Sequence, residues 1–484
     1  IYQLAMNSQK AAAGRQRGRW RGPLKSHTMP HPAPVRRLFP YLGSSMSPLE
    51  HPPRHPTLEQ RPARKWPHVT ALACTVVICG YGSNALPVLG PKLPGHWGIT
   101  MESLGLLFAA PLLAAIVPYA VAGTLSDYWG AKSVLLFALL GVGAAYVLCA
   151  TGTRLGVFAG GVLAAGFFNS AVSVCFPTYM AHTYPNSHRR MFSLSLTVMA
   201  IPWLIVPFLV GRLVRSFPQQ FTLVLHVPFL VAGLAVLTGA LVFRNAPLDR
   251  SASEGIQGQR PSWGAGLRLL SRPAIVLIVA LAVLHGAGDG VFATWFPVYA
   301  TRQFGNALKH PGDVLALCGL AFVTSRLVLS LLPERLGQRA LLIAPGLLGG
   351  SILLACLWAN QPRIMFWGYP LAAFAWSWEY PTLLSEASSR APRHFASVLA
   401  ISIMATQLVS ALLMVAIGVL LKSMDTASAL APWWQRDLRV PLTAFPLAFM
   451  FFGLLAAVSG LGRHSTAEHR TRGGPAIEGK RPAV

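Results

Sequence analysis

Four ionisable residues stand inside otherwise apolar runs of this chain: His285, Asp289, Arg326 and Glu379. Placing a charge in hydrocarbon costs about 3 kcal/mol or more, so such residues are functional candidates by default. Asp289 belongs to the string GAGDG (286–290), and His285 lies one helical turn before it on the same face. Counted from Pro273 at about 1.5 Å per residue, Asp289 stands roughly 24 Å into a hydrocarbon layer roughly 30 Å thick. The flanking Gly286, Gly288 and Gly290 are expected to weaken the helix and open its backbone to a ligand. A carboxylate held partly dehydrated at that depth suits binding and release of a proton. The competing reading is an acid that reaches to the nearer rim.

Arg326 and Glu379 lie at nearly equal depths, roughly 20 and 22 Å from the rim at which their runs begin. A buried Arg needs a carboxylate, and depth makes Glu379 the expected partner, as a structural lock or as a pair that breaks when solute or proton arrives. Trp295 and Tyr299, one turn apart in WFPVY, either stack on a sugar-like solute or form part of an interfacial aromatic belt. Asn84, Asn169 and Gln407 are further candidates for hydrogen bonds to a solute, with helix-to-helix bonding the commoner role. GYGSNA (80–85) lacks the strand–helix setting of a dinucleotide loop, and HSTAEH (464–469) lacks the spacing of a zinc site. No nucleophile–base constellation stands out, so enzymatic chemistry, a metal and a cofactor are not expected.

The elements that must position these residues are apolar and long. Only 11% of the 484 residues are charged and 53% are hydrophobic, against roughly 25% charged in soluble domains. Runs of about 20 apolar residues recur near 70–91, 103–123, 132–151, 156–178, 192–213, 221–243, 273–300, 313–333, 340–359, 364–385, 395–421 and 441–462. The fold class is therefore an all-α polytopic membrane protein with twelve spans. The polar stretch 244–272 divides them into bundles over 68–243 and 273–462.

Net charge is +25, which would suit nucleic acid, but the basic residues sit in the tails and short loops. On the side shared by both termini they outnumber those opposite by about three to one, which predicts cytoplasmic termini. Residues 1–67 are rich in Pro, Arg and His and are expected to form a disordered basic cytoplasmic tail that is not a cleavable signal. Residues 463–484 form the expected C-terminal tail. The sequence opens on Ile1, which makes Met29 and Met46 candidate starts. All six cysteines fall within apolar runs and read as small buried hydrophobes.

The two halves repeat. GTLSDYWGAK (123–132) and SLLPERLGQR (330–339) match Asp127 with Glu334, Gly130 with Gly337 and Lys132 with Arg339, each 207 residues on. GYGSN (80–84) aligns with GAGDG at an offset of 206, and Pro177-Thr178 with Pro381-Thr382 at 204. The first loop, with Gly123, Asp127, Gly130 and Lys132, resembles the signature that major facilitator superfamily transporters carry between helices 2 and 3. Tyr128 replaces that family's Arg. The second copy keeps Glu334, Arg335, Gly337 and Arg339, with Ser330 in place of the first Gly. The resemblance spans residues 70–462 and implies two pseudo-symmetric six-helix bundles that rock around a central cavity. It also implies that these loop residues gate the motion rather than bind solute; the plainer reading is a basic inner loop.

Two departures bear on the branch. Span 5 reads IPWLIVPFLVGRL (201–213) and lacks the Gly-Pro-x-x-Gly-Gly pattern of drug/proton antiporters. The Arg usual early in helix 4 is also missing, since Arg154 falls at the outer mouth. TWFPVY, FPTYMAHTYPNSHRR and YPTLLSEASSRAPR are similar to the fucose-permease-like and general solute-permease branches. The resemblance implies a monomer in the plasma membrane among lipids, taking up a sugar or organic acid by proton symport. An exporter of metabolites or drugs by proton antiport is the alternative. A non-transporting sensor fits less well, because the loops are short and no soluble output domain is evident.

Overall fold

The computed structural model describes residues 66–183, 188–246, 270–308, 310–331, 338–391, 395–427, 432, 437–459 and 461. Span 1 is two helices, α1 (Trp66–Cys79) and α2 (Tyr81–Leu89), followed by the short α3 (Leu93–Trp97). Spans 2 to 6 are α4 (Met101–Trp129), α5 (Ala131–Thr151), α6 (Leu155–Thr183), α7 (His188–Ser216) and α8 (Phe221–Arg244). Spans 7 to 9 are α9 (Pro273–Phe304), α10 (Pro311–Leu331) and α11 (Gln338–Ala359). Span 10 is divided into α12 (Pro362–Trp376) and α13 (Glu379–Arg390). Span 11 is α14 (Phe395–Asp425), and span 12 is α15 (Arg439–Leu442) with α16 (Ala444–Ser459). Eleven of these units are long and apolar enough to cross a membrane. Span 10 is not among them because of its break. The expected tails and the loop 247–269 lie outside the described residues.

Both divided spans have a local cause. Pro381 has no N–H for the carbonyl four residues earlier and crowds it, and that residue is Ser377, where α12 ends. In span 1 the hydroxyl of Tyr146 enters the ladder: it accepts from Gly82 N–H at 2.9 Å and donates to the Cys79 carbonyl. Gly80 and Gly82 have no Cβ because one would strike Pro202 or the Tyr146 ring, at 2.4 and 2.8 Å. Span 7, where glycines predicted an opened backbone, is instead one continuous helix. Its Gly286 makes room for Thr406 of α14.

Each half is organised alike. Span 3 packs on spans 4 and 6, and span 9 on spans 10 and 12. The base opening span 3, Lys132, donates to the Arg244 and Ala246 carbonyls at the end of span 6. Its repeat partner Arg339 donates to the Ala457 carbonyl at the end of span 12, 2.8 Å away. Each base thus caps the negative end of the last helix in its own half. Gly130 takes a positive φ of 81° between spans 2 and 3, as a tight turn requires. The side chains of Asp127 and the loop Glu334, Arg335 and Gly337 lie outside the described residues.

The halves meet through span 2 on span 11 and span 5 on span 8. On the side opposite the termini, called distal below, each crossing is closed by a glycine pair. A Cβ on Gly105 would stand 2.6 Å from the Met414 carbonyl oxygen and 3.1 Å from Gly418 Cα. One on Gly312 would stand 2.6 Å from the Pro207 carbonyl oxygen and 3.2 Å from Gly211 Cα. Gly105 and Gly312 are 207 residues apart, and so are Gly211 and Gly418. An ion pair flanks each crossing: Lys422 to Glu102 at 2.5 Å, and Arg215 to Asp313 at 3.7 Å. Arg215 and Lys422 are again 207 apart, at helix C-terminal ends, and each acid sits in the first turn of its helix.

Candidate functional site

A cavity of about 560 Å³ lies between the halves, lined by residues of spans 1 to 8, 10 and 11. That volume suits a small organic molecule. Five of the residues singled out from sequence line it: Asn84, Asn169, His285, Asp289 and Gln407. Asp289 is 8% exposed and part of the cavity wall rather than of the distal rim. The amide of Asn84 donates to the Gly80 carbonyl at 2.8 Å, which helps to satisfy the broken turn of span 1. Tyr119 from span 2 stands beside Ser173 of span 4 and Gln407 of span 11.

Four expected candidates are absent from the wall. Trp295 and Tyr299 are 1% and 2% exposed, packed edge-on against Phe108 and Phe304. Neither faces the cavity, and neither is exposed as a belt residue would be. Glu379 is fully buried, and its partner is His285, not Arg326: Nδ1 to Oε2 is 2.8 Å. The expectation from depth fails because the two helices face different neighbours. Arg326 lies over the Phe322 ring of its own helix, 5.6 Å away, and the carboxyl that acts on it is that of Asp289. Its Nε is buried with no hydrogen-bond partner.

The break in span 10 is held against span 8. Trp378 Nε1 donates to the Ser325 carbonyl at 3.0 Å, and Ser325 Oγ donates back to the Phe374 carbonyl at 2.7 Å. Glu379 opens α13 directly after this break. Its second oxygen, Oε1, is buried without a partner and lies 2.7 Å from where a Cβ on Gly346 would stand. Gly346 is therefore what leaves room for the carboxyl. Sequence reasoning missed Tyr119, Tyr146, Tyr380 and the glycine crossings. For the crossings a signal existed, since all four glycines keep the offset of the loop motif. Among the described residues no group of three or more His, Cys, Asp or Glu could hold a metal. The six cysteines are free, and Cys74 alone is exposed, against the expectation that all are buried.

A twelve-span helical fold with a duplicated half and a central cavity defines a secondary transporter, and residues 71–414 match the family model of the Major Facilitator Superfamily, to which this chain belongs. It is 30% identical over 290 residues to the probable nitrate/nitrite transporter NarK2 of Mycobacterium tuberculosis, covering 59% of this chain and 70% of that one. It is 28% identical over 160 residues to the class H tetracycline resistance protein of Pasteurella multocida, 31% of this chain and 40% of that one. The crystal structure of a D-xylose-proton symporter superposes with a TM-score of 0.64 at 16% identity, over 80% of this chain and 96% of that one. The chain is thus a multi-pass transporter of small solutes and not an enzyme.

Proposed function

We propose that this protein carries a small, neutral, hydroxylated organic solute by alternating access, coupled to a proton that binds at Asp289. The observation that carries the reading is the cavity wall itself. Asp289 and His285 lie on it among Asn84, Asn169, Gln407 and several hydroxyls, and no Lys or Arg is among its described residues. An anion would meet an acid there and no lining Lys or Arg, and the one lining imidazole, His285, is already bonded to Glu379, so a sugar-like solute fits better than an organic acid or nitrate. Amide and hydroxyl groups on opposite halves would each grip one side of such a solute, so that its binding favours closure around it. A proton on Asp289 would remove the one acidic charge from the wall before the loaded carrier turns over.

With the basic bias read as cytoplasmic, the side of the termini faces inward in the plasma membrane, and the distal crossings close the outer path. We propose uptake by symport. Export against a proton would use the same carboxylate, and flux direction distinguishes the two. The test is counterflow of labelled solutes in proteoliposomes: pentoses, hexoses and polyols, with carboxylic acids, nitrate and tetracycline as competitors. Exchange of a neutral polyol that nitrate does not inhibit supports the reading. Exchange of nitrate alone overturns it.

A further inference from the structure

We propose that His285 and Glu379 form a second proton-binding site, behind the cavity wall, which exchanges its proton with the cavity through His285. The inference rests on the coupled-transport reading above and adds a site to it.

Four observations carry it. His285 belongs to the cavity wall, whereas Glu379 behind it is fully buried and does not. The 2.8 Å contact from Nδ1 to Oε2 is short enough for proton transfer. Oε1 has no partner, so an ionised Glu379 has one hydrogen bond to satisfy a buried charge. Glu379 is also the first residue of α13, just past the Ser377–Trp378 break, so its charge faces the positive end of that half-helix.

Among the described residues no other hydrogen-bond donor reaches the Glu379 carboxyl. Tyr380 stacks on the imidazole at 5.8 Å with an interplanar angle of 16°, and Phe449 and Phe452 of α16 close its edges. From α11 the neighbour is Gly346. The charges that act on the pair are Asp289 of α9, on Glu379, and Arg326 of α10, on His285. A proton entering from the cavity binds Nε2 of the neutral ring. The Nδ1–H bond then breaks as the Oε2–H bond forms, and the ring is left neutral with its proton on Nε2. Neutral Glu379 no longer interacts with the end of α13, which frees this half-helix to change its angle to α12 at the break.

The test uses the full chain in proteoliposomes, with Glu379→Gln, His285→Gln and Asp289→Asn. Infrared difference spectra through an acid jump, with no solute present, should show a protonated-carboxyl band that Glu379→Gln removes and Asp289→Asn keeps. His285→Gln retains a donor to Oε2 but has no second titrating nitrogen, so the band should rise about a hundredfold more slowly. Glu379→Gln should retain solute counterflow and lose solute-driven proton movement. An unchanged band in Glu379→Gln overturns the proposal. So does loss of counterflow along with proton movement in a folded variant, because that marks a structural pair. Should the wild type move solute without protons, the coupled reading fails by itself. The infrared band then still supports or overturns the buried site.

Discussion

The glycine crossings predict how easily the distal side opens. In Gly105→Ala the new methyl would stand 2.6 Å from the Met414 carbonyl oxygen and 3.1 Å from Gly418 Cα. Both are backbone atoms, so no side-chain rotation relieves the overlap. Overpacking of this kind costs about 1–3 kcal/mol. The gain in helix propensity from Gly to Ala is shared by the open and closed states and cancels. The closed state alone is destabilised, so the open fraction should rise by about 5–150-fold. The assay is labelling of a cysteine at Ala293, on the cavity wall, in a chain without its native cysteines. A membrane-impermeant maleimide is added from the distal side. Gly160→Ala is the control, because nothing lies within 4 Å of its new Cβ. Equal labelling rates for Gly105→Ala and Gly160→Ala would refute the account of the crossing.

Other outcomes follow from single contacts. Lys422 and Glu102 are both partly exposed, so Lys422→Gln should loosen the same closure by only about 0.5 kcal/mol, read by the same labelling, and a charge swap with Glu102 should restore it. Lys132→Met and Arg339→Met should each lower thermal stability in detergent by about 1–3 kcal/mol, with Lys132 the larger because it caps two carbonyls. Asp437, ahead of span 12, is held below the usual carboxylate range by the Arg439 guanidinium. A lowered folded value means that this pair stabilises above the ordinary Asp range and is lost as pH falls through the folded value. Asp437→Asn should therefore lower stability at neutral pH and flatten its loss on acidification.

Most of the architecture was legible because membranes constrain sequences strongly. Apolar runs of span length, basic loops and an offset of 207 residues are each readable from a single chain. The place of Asp289 inside a span was legible for the same reason, as a lone acid among glycines in an apolar run. The pairing of Glu379 was not. Depth along two helices says nothing about their rotation, and rotation turns Glu379 toward His285 and leaves Arg326 over Phe322 of its own helix. The division of span 10 follows from Pro381, visible in the sequence, but proline kinks many helices without dividing them. The break in span 1 depends on Tyr146, 64 residues beyond Gly82, and no local pattern announces it.

Solute-driven proton movement tests the central claim most directly. Wild type and Asp289→Asn would be reconstituted with a pH-sensitive dye inside the vesicles and given the solute that counterflow identifies. The account predicts an internal pH change in the wild type that Asp289→Asn abolishes, with both proteins folded. An undiminished pH change in Asp289→Asn would contradict it.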